Sequence, residues 1–444
     1  MKTFRKTFYC TLYGLGTLFF EGKYFNLKNE IRKLNTSQYE SENLIKTKLN
    51  KKLSALLSFS THNNTHYKTL IKNTNLKYDE RRLYEQIKKF PTLSKRTIKN
   101  NYNQLISKNA PKSKKWNTGG STGEPLFFIR DNEAFHKITA AVFRSWEWTG
   151  WKFGDKMYNL WAHPEDLKSS KKLINIIKNY LLNFETLSAL DLNKTQLNNY
   201  VNKIKKDKKY FLRGYASALY VFAKYITDNK IKINSPQAII STGDSLYPEY
   251  RKTIEKAFGC KVFDQYGGRD SSVYAAECKE HQGYHISIET GFLEIVNKNI
   301  LITDLLNKSM PFIRYEVGDL GKQITWKKCN CGITLPRIKK IYGRDCDIIK
   351  KPNGENLIVH HFTNLFEWFD SINQFQIIQE MENLLVVKLI VNKKFDEKEK
   401  KILIKKLKFV VGKEIKINLQ IVNKINLSKS GKRRFIISKI KEIK

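Results

Sequence analysis

A chain of 444 residues exceeds what one ordinary hydrophobic core fills, so two or three domains are expected. Its content of 41% hydrophobic and 12% aromatic residues excludes disorder along most of the length. The 81 Lys+Arg against 42 Asp+Glu give a net charge of +39, which could serve nucleic acid or an anionic membrane surface, but the lysines are spread along the whole chain, which fits solvated faces and a field that attracts anions better; six cysteines in this length do not look like a secreted disulfide framework.

At the start, Lys2, Arg5 and Lys6 precede an apolar run from Tyr9 to Phe20 that is interrupted by Thr11, Gly14, Gly16 and Thr17. The run is too short to span a bilayer and lacks a small-residue cleavage site, which makes a signal peptide the weaker reading. A helix packed on the body and a helix in peripheral contact with a membrane surface both stay open. No other stretch approaches about 20 apolar residues, so a cytoplasmic protein without a transmembrane segment is expected. From Asn29 to about Asn109 the pattern is helical and polar, punctuated by Pro91, with Ser94 placed to cap a helix over Lys95–Leu105.

From Trp116 the short apolar runs LFFI, KMYNLW, YFLRGY, QAIIST and KVFDQYG alternate with helical patterns, among them Leu197–Lys205 and Pro248–Phe258. Such alternation predicts an α/β domain with a largely parallel sheet. HISIETGFLEIVNKNILITDLL reads as closely spaced strands, an antiparallel or barrel-like appendage. A small α+β unit is expected to begin near Cys346, with strands at NLLVVKLIV and KINLQIV flanking the amphipathic DEKEKKILIKKLKFVV, and to end in the polar loop of SKSGKRRFIIS. The expected division is a helical N-terminal region over 1–110, an α/β core with its β appendage over 111–345, and a small mobile C-terminal domain over 346–444.

The segment WNTGGSTGEPLFF interleaves Gly119, Gly120 and Gly123 with Thr118, Ser121 and Thr122. Glycines permit turns that aim successive backbone N–H groups at one point, and hydroxyls add donors, which is chemistry for gripping phosphate. The lysine of a Walker A loop is missing. Taken alone, such a segment is more often a flexible turn than a phosphate grip.

NTGGSTGEPL resembles the phosphate loop of adenylate-forming enzymes, and four further blocks follow in that family's order: FDQYGGRDS, LITDLLNKSMPFIRYEVGDLG, IYGRDCDIIKKPNG and SKSGKRR. Over roughly residues 60 to 444 the chain is most similar to the phenylacetate–CoA ligase family, and FPTLSKRTIKNNYNQL and MPFIRYEVGD are especially like its CapK-like branch, found with capsule and surface-polysaccharide genes. The resemblance implies an acyl-CoA synthetase-like fold and activation of a carboxylic acid by ATP as an acyl-AMP. It also implies transfer to a thiol, CoA, or to an amine such as an amino sugar. By the same resemblance Thr118, Ser121, Thr122 and the loop glycines would hold the β- and γ-phosphates. Tyr266, followed by Gly267, would stack on adenine, with Ser241, Thr242, Gly243 and Asp244 as the other wall. Asp319 would hold the ribose hydroxyls, and Arg344 would approach the nucleotide. Lys432, thrust forward by Gly431, would reach the α-phosphate and acyl oxygen. Asp270 stands where the family usually has a glutamate for Mg²⁺, one methylene longer. Asp347 matches the hinge block, and Cys346 replaces its usual pivot residue. Tyr215, Ala216 and the segment around Trp161–His163 are candidates for the acid pocket.

Cys278-x-x-His281 and Cys329-x-Cys331 supply three sulfurs and one imidazole, a complete tetrahedral set for structural zinc, with His285 as an alternative fourth ligand. The family branch often has comparable cysteines. Isolated buried thiols beside a solvated histidine are the competing explanation. His136, His163, His360 and His361 form no set and fit packing or pocket lining. Two other functions stay in view: a basic nucleic-acid-binding protein, which no motif supports, and a family member that binds nucleotide without catalysis.

Overall fold

Polar caps start the N-terminal helices. In α1 (Lys2–Glu21) Tyr9, Cys10, Gly14 and Thr17 are buried. The Asn26 side chain accepts the Asn29 N–H at the head of α2 (Leu27–Ser37), and Ser41 accepts from Leu44 at the head of α3 (Glu42–Asn63), which α4 (Thr65–Thr74) follows. Each such cap is worth about 1 kcal/mol, because a helix otherwise leaves its first N–H groups without partners. Ser94 caps as expected, accepting from the Thr97 N–H at 3.1 Å. The helix it starts ends at Asn100 and resumes over Tyr102–Leu105. The computed structural model describes residues 2–74, 77–118, 126–161, 173–189, 192–344, 348–353, 356–358, 362, 365–366, 368–369, 371–426 and 434–440.

β1 (Ser113–Asn117) and β2 (Phe127–Asp131) pair antiparallel as a hairpin of their own. β3 (Met157–Trp161), β4 (Phe184–Ser188), β5 (Phe211–Tyr215), β6 (Ile239–Thr242) and β7 (Val262–Tyr266) run parallel in the order β4-β3-β5-β6-β7, as the alternating pattern predicted. β8 (Ala275–Glu277), β9 (Tyr284–Ile286), β10 (Gly291–Val296), β11 (Asn299–Asp304), β12 (Tyr315–Thr325) and β13 (Arg337–Arg344) are antiparallel, as expected of the appendage. They do not stand apart as a second sheet. β8 pairs with β7, so the antiparallel strands extend the parallel ones into one 11-stranded sheet.

Helices cover this sheet: α5 (Asn132–Glu147), α6 (Leu173–Leu182), α7 (Lys194–Ile204), α8 (Ala216–Asp228) and α9 (Pro248–Phe258). α9 begins with Pro248 and ends at the left-handed Gly259, the asymmetry that suits the two ends of a helix. Phe143, Trp146, Trp151 and Phe153 form an aromatic core with Tyr9 of α1. Trp151 is fully buried, a contribution of about 1.5–3 kcal/mol if it gains what a large apolar side chain gains. The Arg144 guanidinium, also fully buried, donates to Glu289 at 2.6 Å, to Ser287 at 3.1 Å and to the Leu34 carbonyl at 3.2 Å. That pairing ties α2 and α5 to the loop before β10, and losing one partner of such a buried pair costs about 3–5 kcal/mol.

Beyond β13 the chain forms the small hairpin β14 (Ile348–Lys350) with β15 (Asn356–Ile358). A separate four-stranded sheet follows, built from β16 (Ile372–Met381), β17 (Leu384–Val391), β18 (Lys416–Ile421) and β19 (Ile436–Ser438) in the order β18-β17-β16-β19. α10 (Glu397–Val411), capped by Asp396, buries Leu403, Leu407 and Val411. This is the α+β unit expected from the sequence. The boundary placed at Cys346 falls outside the described residues. Among the described residues no helix is long and apolar enough to cross a membrane.

Candidate functional site

The β1–β2 pair brackets the glycine-rich segment. Asn117 pairs with Phe127, the Thr118 N–H donates to the Leu126 carbonyl, and the Leu126 N–H donates back to Thr118 Oγ1, both at 2.9 Å. Thr118 therefore closes the neck of the hairpin. Gly119, Gly120, Ser121, Thr122 and Gly123 lie outside the described residues, as do Asp347, Lys432, His163, His360 and His361.

At the C-terminal edge of the parallel strands the other motif residues converge. Tyr266 ends β7 and Asp319 lies in β12, 53 positions later, yet the Tyr266 hydroxyl donates to Asp319 Oδ2 at 2.9 Å. Asp319 is also the cross-strand partner of Arg344, whose backbone ends β13. Asp270 Oδ2 accepts from the Tyr315 hydroxyl at 2.8 Å, which brings the FDQYGGRDS block onto the first residue of β12.

The turn after β6 forms the facing side. Gly243 has φ +82°, and a Cβ there would stand 2.6 Å from the Tyr215 ring, so only glycine fits. Asp244 accepts from the Ser217 N–H and hydroxyl at the head of α8. Gly343, at φ +91°, leaves no room for a Cβ beside Ser245 Oγ, which holds the end of β13 against this turn. Trp161 and Tyr215 of the expected acid pocket stand 4.8 Å apart, with the Arg213 guanidinium 4.6 Å over the Trp161 ring.

Behind this edge lies a partly buried polar network that motif reading did not single out. Ser241, fully buried, gives its hydroxyl to Asp264 Oδ1, and the Tyr284 hydroxyl donates to Asp264 Oδ2 at 2.8 Å. Burial, reinforced by the nearby Glu277 charge, pushes the Asp264 carboxyl up to about 7. Glu277 is held below its usual range: burial acts the other way, but His281 and Arg251 outweigh it. Arg251 donates to both Glu277 oxygens at 2.8 and 2.9 Å. The signal was present, since Asp264 sits inside the quoted FDQYGG block, but its partners come from three other elements.

Cys278, Cys329 and Cys331 do come together, and the imidazole that joins them is His285. That corrects the placing of His281 in the set. His281 occupies a left-handed turn at φ +49°, where Nδ1 meets Glu277 at 3.1 Å and the ring packs 4.7 Å from Phe263. His285 lies on β9 opposite Ala276, with Nδ1 donating to the Leu335 carbonyl at 3.2 Å and Nε2 3.3 Å from Cys331 Sγ. Donation from Nδ1 leaves the Nε2 lone pair facing the sulfurs, the tautomer a metal-binding histidine needs. The Cys278 and Cys329 sulfurs are 3.8 Å apart, and all four donor atoms lie within 4.8 Å of one another. Tetrahedral zinc thiolates would set neighbouring sulfurs about 3.8 Å apart, so the donor set fits that ion in number, chemistry and spacing. His136 instead serves packing: it bridges the Tyr13 hydroxyl at 2.6 Å and Glu21 at 2.8 Å, joining α1 to α5.

Residues 349–439 match the family described as the CapK C-terminal domain. The chain is 28% identical over 404 residues to protein CapK of Staphylococcus aureus, covering 88% of this chain and 89% of that protein. A shorter match, 30% over 114 residues, joins it to phenylacetate-coenzyme A ligase of Thermus thermophilus, covering 22% of this chain and 25% of the ligase. Among solved structures, 2-hydroxyisobutyryl-CoA ligase in the postadenylation state with 2-HIB-AMP superposes with a TM-score of 0.67 at 16% identity, covering 88% of each chain. The resemblance read from the five motifs is borne out, and the fold is that of the adenylate-forming ligases.

Proposed function

We propose that this CapK-like chain is a ligase that activates a carboxylic acid with ATP, forming an acyl-AMP and pyrophosphate, and then passes the acyl group to a thiol or an amine, which releases AMP and a proton. The observation that supports it most is the meeting of Tyr266 and Asp319 across β7 and β12 at 2.9 Å. One ring face and one carboxylate at the edge of the parallel strands suit an adenosine: the ring takes the base, and the two carboxylate oxygens take the ribose hydroxyls. Thr118 to Gly123 would hold the phosphates, and Thr242, Gly243 and Asp244 would close the other side of the base; Ser241, fully buried on Asp264, would stand behind that wall instead of in it. Mg²⁺ would supply charge neutralisation on the phosphates, and the Asp270 carboxylate, oriented by Tyr315, is a hard oxygen donor suited to it.

In this reading the acid attacks the α-phosphorus, a bond forms between carboxylate oxygen and phosphorus, and the bond to pyrophosphate breaks. Lys432 and Arg344 would stabilise the negative charge that shifts during that displacement, where a preoriented cation is worth most. Rotation of the small domain would then withdraw Lys432 and admit the acceptor. The resemblance to CapK favours an acceptor in surface-polysaccharide synthesis, and CoA is the alternative taken from the phenylacetate-coenzyme A ligase. The Cys278–His285–Cys329–Cys331 set would hold zinc with all four positions filled by protein, which assigns it a structural role.

Acid-dependent exchange of labelled pyrophosphate into ATP, screened over aryl, fatty, hydroxy and amino acids, tests the reading. Exchange with at least one acid is expected. Lys432→Ala should abolish it, and Asp319→Asn should raise the KM for ATP by roughly tenfold or more, the worth of a hydrogen-bonded charge. An absence of exchange across the panel, or unchanged exchange in Lys432→Ala, would sink the proposal.

A further inference from the structure

One face of α1 takes no part in the ligase chemistry. The inner side of the helix is fastened to the body: the Tyr9 ring packs 5.9 Å from Phe153, and Tyr13 bonds His136. Its outer side, at helical spacing, carries Phe4, Phe8, Leu12, Leu15, Leu18 and Phe19. All six are exposed, Phe4 to 69% and Phe19 to 85%. No charged residue occurs from Thr7 to Phe20, whereas a helix on a water-facing surface ordinarily spends its outer face on charged and polar side chains. α6 lies against α1, with Arg5 resting 5.6 Å over the Tyr180 ring, and it too exposes apolar side chains, with the exposed Lys178 among them. Leu173 is 74% exposed and Tyr180 70%, with Ile176 and Ile177 exposed between them. Two touching helices therefore present apolar outer faces to solvent.

The charges around these faces choose the occupant. Lys2, Arg5 and Lys6 stand at one end of α1, and Lys23, Lys112 and Lys114 at the other; Lys2 pairs with Asp155, Lys6 with Glu147, Lys23 with Glu133 and Lys114 with Glu21, while Arg5 lies over Tyr180 and Lys112 reaches the Phe20 carbonyl. Glu21, engaged by Lys114 and His136, is the one acidic residue in α1, and α6 has none. A second copy of this chain would cover the apolar side chains but would set one basic rim against another, in a molecule of net charge +39. An anionic lipid surface satisfies both features.

We propose that the α1–α6 face lies on a membrane rich in anionic phospholipid, with the phenylalanines and leucines at the headgroup–acyl boundary and the flanking lysines among the headgroups. The contact is peripheral, for α1 stays bound to the body by its buried side. It is independent of the acid or acceptor that the site takes.

Flotation of the full chain with phosphatidylcholine vesicles, and with vesicles of about one-third phosphatidylglycerol, tests this at moderate salt. Binding to the anionic vesicles and at least roughly tenfold weaker binding to the neutral ones is expected. The quadruple variant F4S/F8S/L15S/F19S should lose roughly tenfold or more of that binding while keeping its thermal melting and pyrophosphate exchange. In a Phe8→Trp variant the emission should shift to the blue with anionic vesicles alone. Failure to float with anionic vesicles, or unshifted Trp emission, overturns the proposal. So does a dimer in light scattering that the quadruple variant breaks, which would assign the face to a second copy.

Discussion

Asp264 shows how a single side chain can be legible as a letter and not as a chemical group. It stands two residues before Tyr266, in a block that the family resemblance brings forward, yet its state depends on Ser241, Tyr284 and Glu277 from elsewhere in the chain. An unfolded aspartate gives up its proton near pH 4, whereas here burial first, then Glu277, push the carboxyl up to about 7. Between those values the folded chain holds a proton that the unfolded chain has released. This group's contribution to stability therefore falls as pH rises from about 4 to 7, by an amount on the order of a few kcal/mol. Asp264→Asn has the shape of the protonated acid and no charge to lose. Thermal melts from pH 5 to 8 should show the variant gaining on the wild-type chain as pH rises; parallel curves would mean that Asp264 is ionised throughout. The pairing of Tyr266 with Asp319 makes the same point about legibility. Both letters were readable, but not the 2.9 Å between them.

At the scale of elements, strands and helices followed the periodicity closely, and what escaped was membership and facing. The segment from His285 to Leu306 reads as antiparallel, and it is, but which sheet it joins depends on the β7–β8 pairing, which no local pattern encodes. The choice between His281 and His285 is of the same kind. In the sequence His281 has the familiar spacing from Cys278, but the turn into β9 folds it back on Glu277, while β9 carries His285 to the loop of Cys329 and Cys331. Protein purified without added metal should hold close to one zinc per chain. Chelation should lower the melting temperature by about 5 °C or more, because binding to the folded state alone adds to stability. His285→Ala or Cys329→Ser should lose the metal and His281→Ala should keep it; loss in His281→Ala with retention in His285→Ala would reverse the assignment.

At the scale of the whole molecule, the small unit is docked through an aromatic contact. Phe435, just before β19, lies 5.4 Å from Tyr250 of α9, 6.5 Å from Tyr247 just ahead of that helix, and 5.3 Å from Phe375 of β16. Lys432, the lysine proposed to act at the α-phosphate, is three positions upstream of it in the sequence. Phe435→Ala removes aromatic pairs worth about 0.5–1.5 kcal/mol each beyond their burial. It is expected to lower the pyrophosphate-exchange kcat several-fold while leaving the KM for ATP near its original value. A rise in KM with unchanged kcat would mean that the contact serves nucleotide binding instead. The scattered positive charge, legible from composition alone, gained a location only in the fold, where lysines rim the apolar faces of α1 and α6.

The sequence by itself determined the order of the blocks, the α/β alternation, the small C-terminal unit and the chemistry available at each motif. Those properties are local: hydrophobic period, capping residues, glycine and proline positions act within a few residues of one another. The tertiary structure alone decided which imidazole meets the three sulfurs, that Asp264 packs against Ser241 and Tyr284, that Tyr266 reaches Asp319, and which side of α1 is left in solvent. Each of these depends on strands and helices brought together across tens to hundreds of residues. Burial and facing are consequences of packing, and packing is not written in any one segment.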